Sequence, residues 1–218
     1  MKKKEQIEDL SLEWDSCTAQ ESQHLVLEHL QPSTNLKKPT IKFYGGIWFL
    51  NWLGNSSFAN MVYLCIRSCH YCSLLPPVEQ LHNLKELIIF DIISVKTIGH
   101  EFYRSCSPSF QSFPLGSLPV LKWLYFIECK NLKSFSISEE DAPQYLTFLQ
   151  GFYILECPEL ESFPHLGLPA PKLRRFWVSY CNKLNSLPGP VNALVGLQEL
   201  TVLNLPSMQF FANEANYL

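Results

Sequence analysis

The feature that most constrains this chain is a phrase that repeats in register. Leu173 to Pro188 reads L-x-x-F-x-V-x-x-C-x-x-L-x-x-L-P, with large apolar residues at Leu173, Phe176, Val178, Cys181, Leu184 and Leu187. The same phrase stands 24 residues earlier at Leu149, Phe152, Ile154, Cys157, Leu160, Phe163 and Pro164. It stands again at Leu121, Leu124, Phe126, Cys129, Leu132 and Phe135. Repetition at a fixed period of this length means stacked units, none of which can bury its apolar face alone.

Traced along the chain, the units open at Ile7, Leu36, Met61, Leu84, Leu121, Leu149, Leu173 and Leu197. Their separations are 29, 25, 23, 37, 28, 24 and 24 residues. All but one fall within the span of about 20–29 residues that marks a leucine-rich repeat. The long interval contains Gly99 to Ser117, where serines at 105, 107, 109, 112 and 117 predict a loop-like insertion tacked down by Phe110 and Phe113. The expectation is one domain over 1–218, built of about eight irregular repeats.

The spacing gives the architecture. In each opening the fourth and sixth positions alternate as a strand does, so both side chains enter one core. Stacked, these strands make a parallel sheet on the concave face of an arc, an α/β solenoid with irregular coil and short helices on its convex side. The ninth position is cysteine in four units, a small residue whose weak S–H can reach a neighbouring carbonyl as the chain leaves the strand. The trailing leucine, or Phe135, Phe163 and Phe211, fills the floor of each coil, and proline then fixes φ.

The first units are less regular. Glu21 to Leu30 has Val26, Leu27 and Leu30 at helical spacing, with Pro32 just beyond, and predicts a short outer helix. Pro39 stands where the second unit should carry leucine, and it cannot donate to a ladder. Tyr44-Gly45-Gly46 turns the chain away, and Trp48, Phe49, Trp52 and Leu53 form an apolar return segment.

If the apolar letters are architecture, function lies between them. The fifth and seventh positions, from the third unit onward, are Cys65 and Arg67, Ile88 and Phe90, Tyr125 and Ile127, Tyr153 and Leu155, Trp177 and Ser179, Thr201 and Leu203. Trp123, Arg175 and Tyr180 lie beside this stripe. Exposed aromatics and arginine dominate protein interfaces, so Arg67, Phe90, Trp123, Tyr125, Tyr153, Arg175, Trp177 and Tyr180 are the candidate protein-binding residues.

Composition narrows the alternatives. A net charge of -3, with no basic tract beyond Lys2 to Lys4, argues against nucleic-acid binding. No apolar run approaches the roughly 18 residues of a membrane span, and MKKKEQIEDLSLEW lacks the apolar segment of a signal peptide. The eight cysteines are read as free thiols in a reducing compartment. Cys69-His70-Tyr71-Cys72 has no second C-x-x-C, so a metal site is not expected. The histidines are scattered and Glu139-Glu140-Asp141 reads as a solvated loop, so neither catalysis nor a cofactor is expected.

With the repeats laid out, the chain resembles the C-terminal leucine-rich-repeat region of plant nucleotide-binding, leucine-rich-repeat disease-resistance proteins of the coiled-coil class. The resemblance rests on LSLEWDS (10–16), VLEHLQPSTNLKKPTIKFYGG (26–46), WLGNSSFANMVYLCIRSC (52–69), SLLPPVEQLHNLKELII (73–89), VKTIGHEFY (95–103) and the C-x-x-L-x-x-F/L repeats. It implies a cytoplasmic module that recognises a pathogen effector or a guarded host protein and restrains the receptor's nucleotide-binding domain. No G-x-x-x-x-G-K-[ST] loop occurs in the chain, so the nucleotide switch lies elsewhere and the chain reads as a fragment. The competing reading is the substrate-recognition repeats of a ubiquitin-ligase adaptor. That reading needs an N-terminal helical module, whereas the repeats here begin near residue 7.

Overall fold

In the computed structural model the openings become short strands stacked side by side. The structure describes residues 7–15, 21–30, 32–47, 49, 51–72, 76, 78, 81–93, 112–114, 118–136, 146–163, 167–168, 170–189 and 196–208. In chain order the elements are β1 (Asp9–Glu13), α1 (Glu21–Leu30), β2 (Lys38–Lys42), a 3₁₀ helix (Asn51–Gly54), β3 (Tyr63–Arg67) and β4 (Glu86–Phe90). There follow β5 (Ser112–Pro114), β6 (Trp123–Ile127), β7 (Ser134–Ser136), β8 (Gly151–Leu155), β9 (Arg175–Ser179) and β10 (Glu199–Leu203). Among the described residues, eight strands form one parallel sheet in the order β1-β2-β3-β4-β6-β8-β9-β10, the ladder of a leucine-rich-repeat solenoid.

The alternation sets the register. Leu64, Ile66, Leu87, Ile89, Leu124, Phe126, Phe152, Ile154, Phe176 and Val178 all point into the core and are essentially inaccessible to water. The first positions, Leu36, Met61, Leu84, Leu121, Leu149 and Leu173, line the same core. From β6 to β9 the interior is a continuous ring stack. Phe126, Phe135, Phe152, Phe163 and Phe176 meet at centroid distances of 5.2–6.3 Å, mostly edge to face. Three of the four ninth-position cysteines behave as expected, Cys69, Cys129 and Cys157 donating to Ile41 O, Ile89 O and Phe126 O of the preceding coil at 3.6–3.9 Å, while Cys181 donates to Ser179 O of its own coil. In the second unit Tyr44 occupies this row, fully buried between Trp14 and Phe49. Gly46 makes room for it, because an added Cβ would stand 2.1 Å from the Tyr44 hydroxyl.

Irregular spacing hardly marks the sheet. β4 and β6, separated by the long interval, still pair over five rungs, Glu86↔Trp123 to Phe90↔Ile127. The described part of the expected loop, Ser112–Pro114, is a strand, which pairs in parallel with β7 in a second small sheet. The rest of 99–117, Trp48, Cys17, Cys106, Glu139 to Asp141, Pro164 and Phe211 lie outside the described residues. Pro39 leaves its trace where a missing donor should: β1–β2 pairs over five rungs, while β2–β3 pairs over three, from Thr40↔Cys65 onward. Helix α1 forms as expected and buries Leu27, but Val26 is 57% exposed and Leu25 is also turned outward, so the expected apolar face was drawn one residue too wide.

Candidate protein-binding face

Two rows of residues frame the sheet, and backbone hydrogen bonds explain both. Just before each strand, one carbonyl accepts two N–H groups from the next coil. Lys122 O, for example, takes Gln150 N at 2.8 Å and Gly151 N at 3.0 Å. Just after the large sheet's strands from β2 onward, Phe43, Ser68, Asp91, Glu128, Glu156, Tyr180 and Asn204 adopt φ between 49° and 56°. This left-handed step swings the chain inward and drops the next residue into the core row. Its N–H still pairs with the neighbouring coil, as Glu128 N does with Leu155 O at 2.8 Å. A non-glycine residue there is disfavoured, yet the stacked ladder holds it.

Between these rows lies the face turned away from the core. The register brings seven of the eight candidate residues into three groups. Tyr125, Tyr153 and Trp177 share the middle row of β6, β8 and β9. Tyr125 and Tyr153 stack at 4.6 Å and 10°, and Trp177 remains 36% exposed. Trp123 and Arg175 open β6 and β9 on either side of Gly151, with the guanidinium 6.0 Å from the indole centroid and Trp123 6.5 Å from Tyr153. Arg67 and Phe90 close β3 and β4, the guanidinium 4.1 Å above the ring. Tyr180 is not on a strand. It sits in the left-handed step beyond β9 and is 50% exposed.

Two residues of the expected stripe are not available. Cys65 is buried, its thiol pushed up by burial, and Ser179 is buried at the end of β9. Sequence reasoning missed Gly151 altogether. An added Cβ there would stand 2.4 Å from Trp123 Cε3, so the glycine is what lets the indole lie across the sheet toward Tyr153. The only signal was a small residue where its neighbours carry Trp and Arg.

The electrostatics suit contact better than chemistry. Burial, then the nearby Glu86 carboxylate and Tyr153, push the Tyr125 phenol up to about 12, so it stays a hydrogen-bond donor at neutral pH. Burial likewise pushes the Glu86 carboxyl up against the opposing pull of Lys38. Cys157 is driven up by burial, and Cys181 by its hydrogen bond to Cys157 and then by burial, so both remain thiols. Cys69 and Cys72 donate to carbonyls, and His70 Nε2 lies 2.7 Å from Asp91 Oδ2, which also accepts from Ser68 Oγ at 2.9 Å. No group of three or more metal-ligating side chains converges among the described residues. No described helix is long and apolar enough to cross a membrane.

Comparison with known proteins agrees with this geometry. Residues 1–92 match the family model described as R13L1/DRL21 LRRs. The chain is 40% identical over 80 residues to the disease resistance RPP13-like protein 1 of Arabidopsis thaliana, covering 37% of this chain and 8% of that protein. The chain is a leucine-rich-repeat solenoid similar in sequence to parts of plant disease-resistance proteins. It is also 31% identical over 138 residues to the disease resistance protein RGA1 of Solanum bulbocastanum, covering 63% of this chain and 14% of that one. To RGA4 of the same plant it is 31% identical over 152 residues, 65% of this chain and 15% of the relative. The leucine-rich-repeat region thus spans a small part of the proteins it matches. Repeat regions of this fold are interaction modules, and the relatives matched are disease resistance proteins.

Proposed function

We propose that the outward face of β4 to β9 is the recognition surface of a cytoplasmic plant immune receptor. In this reading it binds a pathogen effector or a host protein that the receptor guards, and a separate contact restrains the receptor's nucleotide-binding domain. Residues 1–218 would form one repeat domain, a fragment of that receptor, with no catalytic role of its own. The observation that carries the reading is the ring assembly of Trp123, Tyr125, Tyr153 and Trp177. It is seated on a rigid sheet, and none of its members is needed in the core. Rigid aromatic side chains give large contact area at low entropic cost.

The test is the triple variant Tyr125→Ala, Tyr153→Ala, Trp177→Ala, assayed for binding of candidate effector and host proteins by surface plasmon resonance. Loss of binding by tenfold or more, with an unchanged thermal midpoint, is the expected result. Retained binding with a folded protein would sink it. The restraint is tested by adding the separately expressed nucleotide-binding domain of the receptor, which should bind the 218-residue chain in trans.

A further inference from the structure

The two rows that frame the face carry opposite charge. From β2 onward the row before the strands is Lys37, Val62, Lys85, Lys122, Gln150, Arg174 and Gln198, with four cations and no acid. The row after the strands is Phe43, Ser68, Asp91, Glu128, Glu156, Tyr180 and Asn204, with three acids and no cation. Lys37 is already paired with Glu8, and Asp91 with Ser68 and His70. Lys85, Lys122, Arg174, Glu128 and Glu156 are exposed or half-buried and have no ion-pair partner among the described residues. Nearby charges do not cancel the pattern. Glu86 is half-buried and desolvated, Glu199 is taken by Arg175, and Lys130 lies two positions beyond the acidic row. The rings of Phe90, Tyr125, Tyr153 and Trp177 occupy the strip between.

The geometry points to one occupant for this strip, an amphipathic helix of a protein partner laid across the strands. Its apolar ridge would rest on the rings, an acidic flank would face Lys85, Lys122 and Arg174, and a basic flank would face Glu128 and Glu156. This rests on the reading of the face as a protein-recognition surface. Two dimensions favour a helix over an extended segment. Adjacent strands are about 4.8 Å apart, close to the helical pitch of about 5.4 Å, so one helical turn meets each coil on both edges. An extended segment presents a given side once in about 6.6 Å and soon loses step. The rows lie about 20 Å apart along the strands, and a helix about 10–12 Å wide leaves each gap for one lysine or glutamate side chain to bridge. Complementary edges also fix the direction in which the helix lies.

The probe is a stapled peptide helix with a leucine ridge, glutamates along one flank and lysines along the other. Its control has the same composition with the two charges alternating on both flanks. By fluorescence anisotropy, the segregated helix should bind the intact chain at least tenfold more tightly than the control, with an advantage that shrinks as salt rises. The reversal Lys85→Glu, Lys122→Glu, Arg174→Glu should remove that advantage. Adding Glu128→Lys and Glu156→Lys should restore it, with the helix docked in the opposite direction. Equal binding of the two peptides, or no response to the reversal, overturns the inference. Loss of all peptide binding in the triple alanine variant, with no response to charge reversal, would leave the recognition face standing and overturn the charge-matched docking of the helix.

Discussion

The β1–β3 end and the β6–β9 end of the sheet share one backbone and differ in almost everything it displays. The β1–β2 end carries two ion pairs, Lys42 with Glu13 at 2.9 Å at the strand ends and Lys37 with Glu8 at 2.7 Å just before the strands. Across β6, β8 and β9 the outward positions are stacked rings. Underneath, the first end is closed by a local cluster of Trp14, Tyr44 and Phe49, and the second by the phenylalanine spine that runs through three coils. The interior letters are therefore constrained by stacking, whereas the outward letters are free to differ from coil to coil. In the proposed function, partner choice belongs to the second set.

The comparison can be broken from its strongest side. Phe152 touches Phe126, Phe135, Phe163 and Phe176 and is wholly buried, so Phe152→Ala should cost about 2–5 kcal/mol. Leu10→Ala in the half-buried edge strand should cost clearly less. Denaturant melts of the two variants decide this, and equal losses would mean that the coils do not share a continuous core. Next in size is Gly151→Ala. It should cost about 1–3 kcal/mol or expel Trp123 from its place beside Tyr153, seen as a red shift of tryptophan emission and weaker partner binding. Smallest is Lys42→Ala. Its ion pair is solvent-exposed, so the loss should stay below about 1 kcal/mol and shrink in salt. A large loss would show that the ionic end is more tightly built than the ring end.

Much of this fold was legible because a strand packed on one side writes its alternation directly into the sequence. The L-x-x-L-x-L openings placed the strands, and the cysteine row anticipated thiols bonded to the preceding coil. The left-handed row was not legible, since Phe43, Asp91, Glu156 and Tyr180 share a backbone conformation and no side-chain property. Cys65 stands at an outward position of the alternation yet is buried, and alternation alone does not report such local cover. Gly151 was invisible for a related reason. Its role depends on which residue of another coil lies alongside, and that becomes known only once the register is fixed. Seven of the eight candidate residues lie on strands at alternating positions, and Tyr180, at the eighth position, lies exposed in the left-handed step beyond β9.

The five-rung pairing of β4 with β6 has a further consequence. Because the long interval between them is absorbed away from the ladder, the outward face is a lattice with a fixed step of about 4.8 Å, whatever the length of chain between strands. Excising one whole coil, Leu149 to Lys172, would close that lattice by a single step and set Tyr125 beside Trp177 without disturbing the rows above or below. Such a chain can change what it displays in whole steps, by the gain or loss of a coil, while its backbone stays the same.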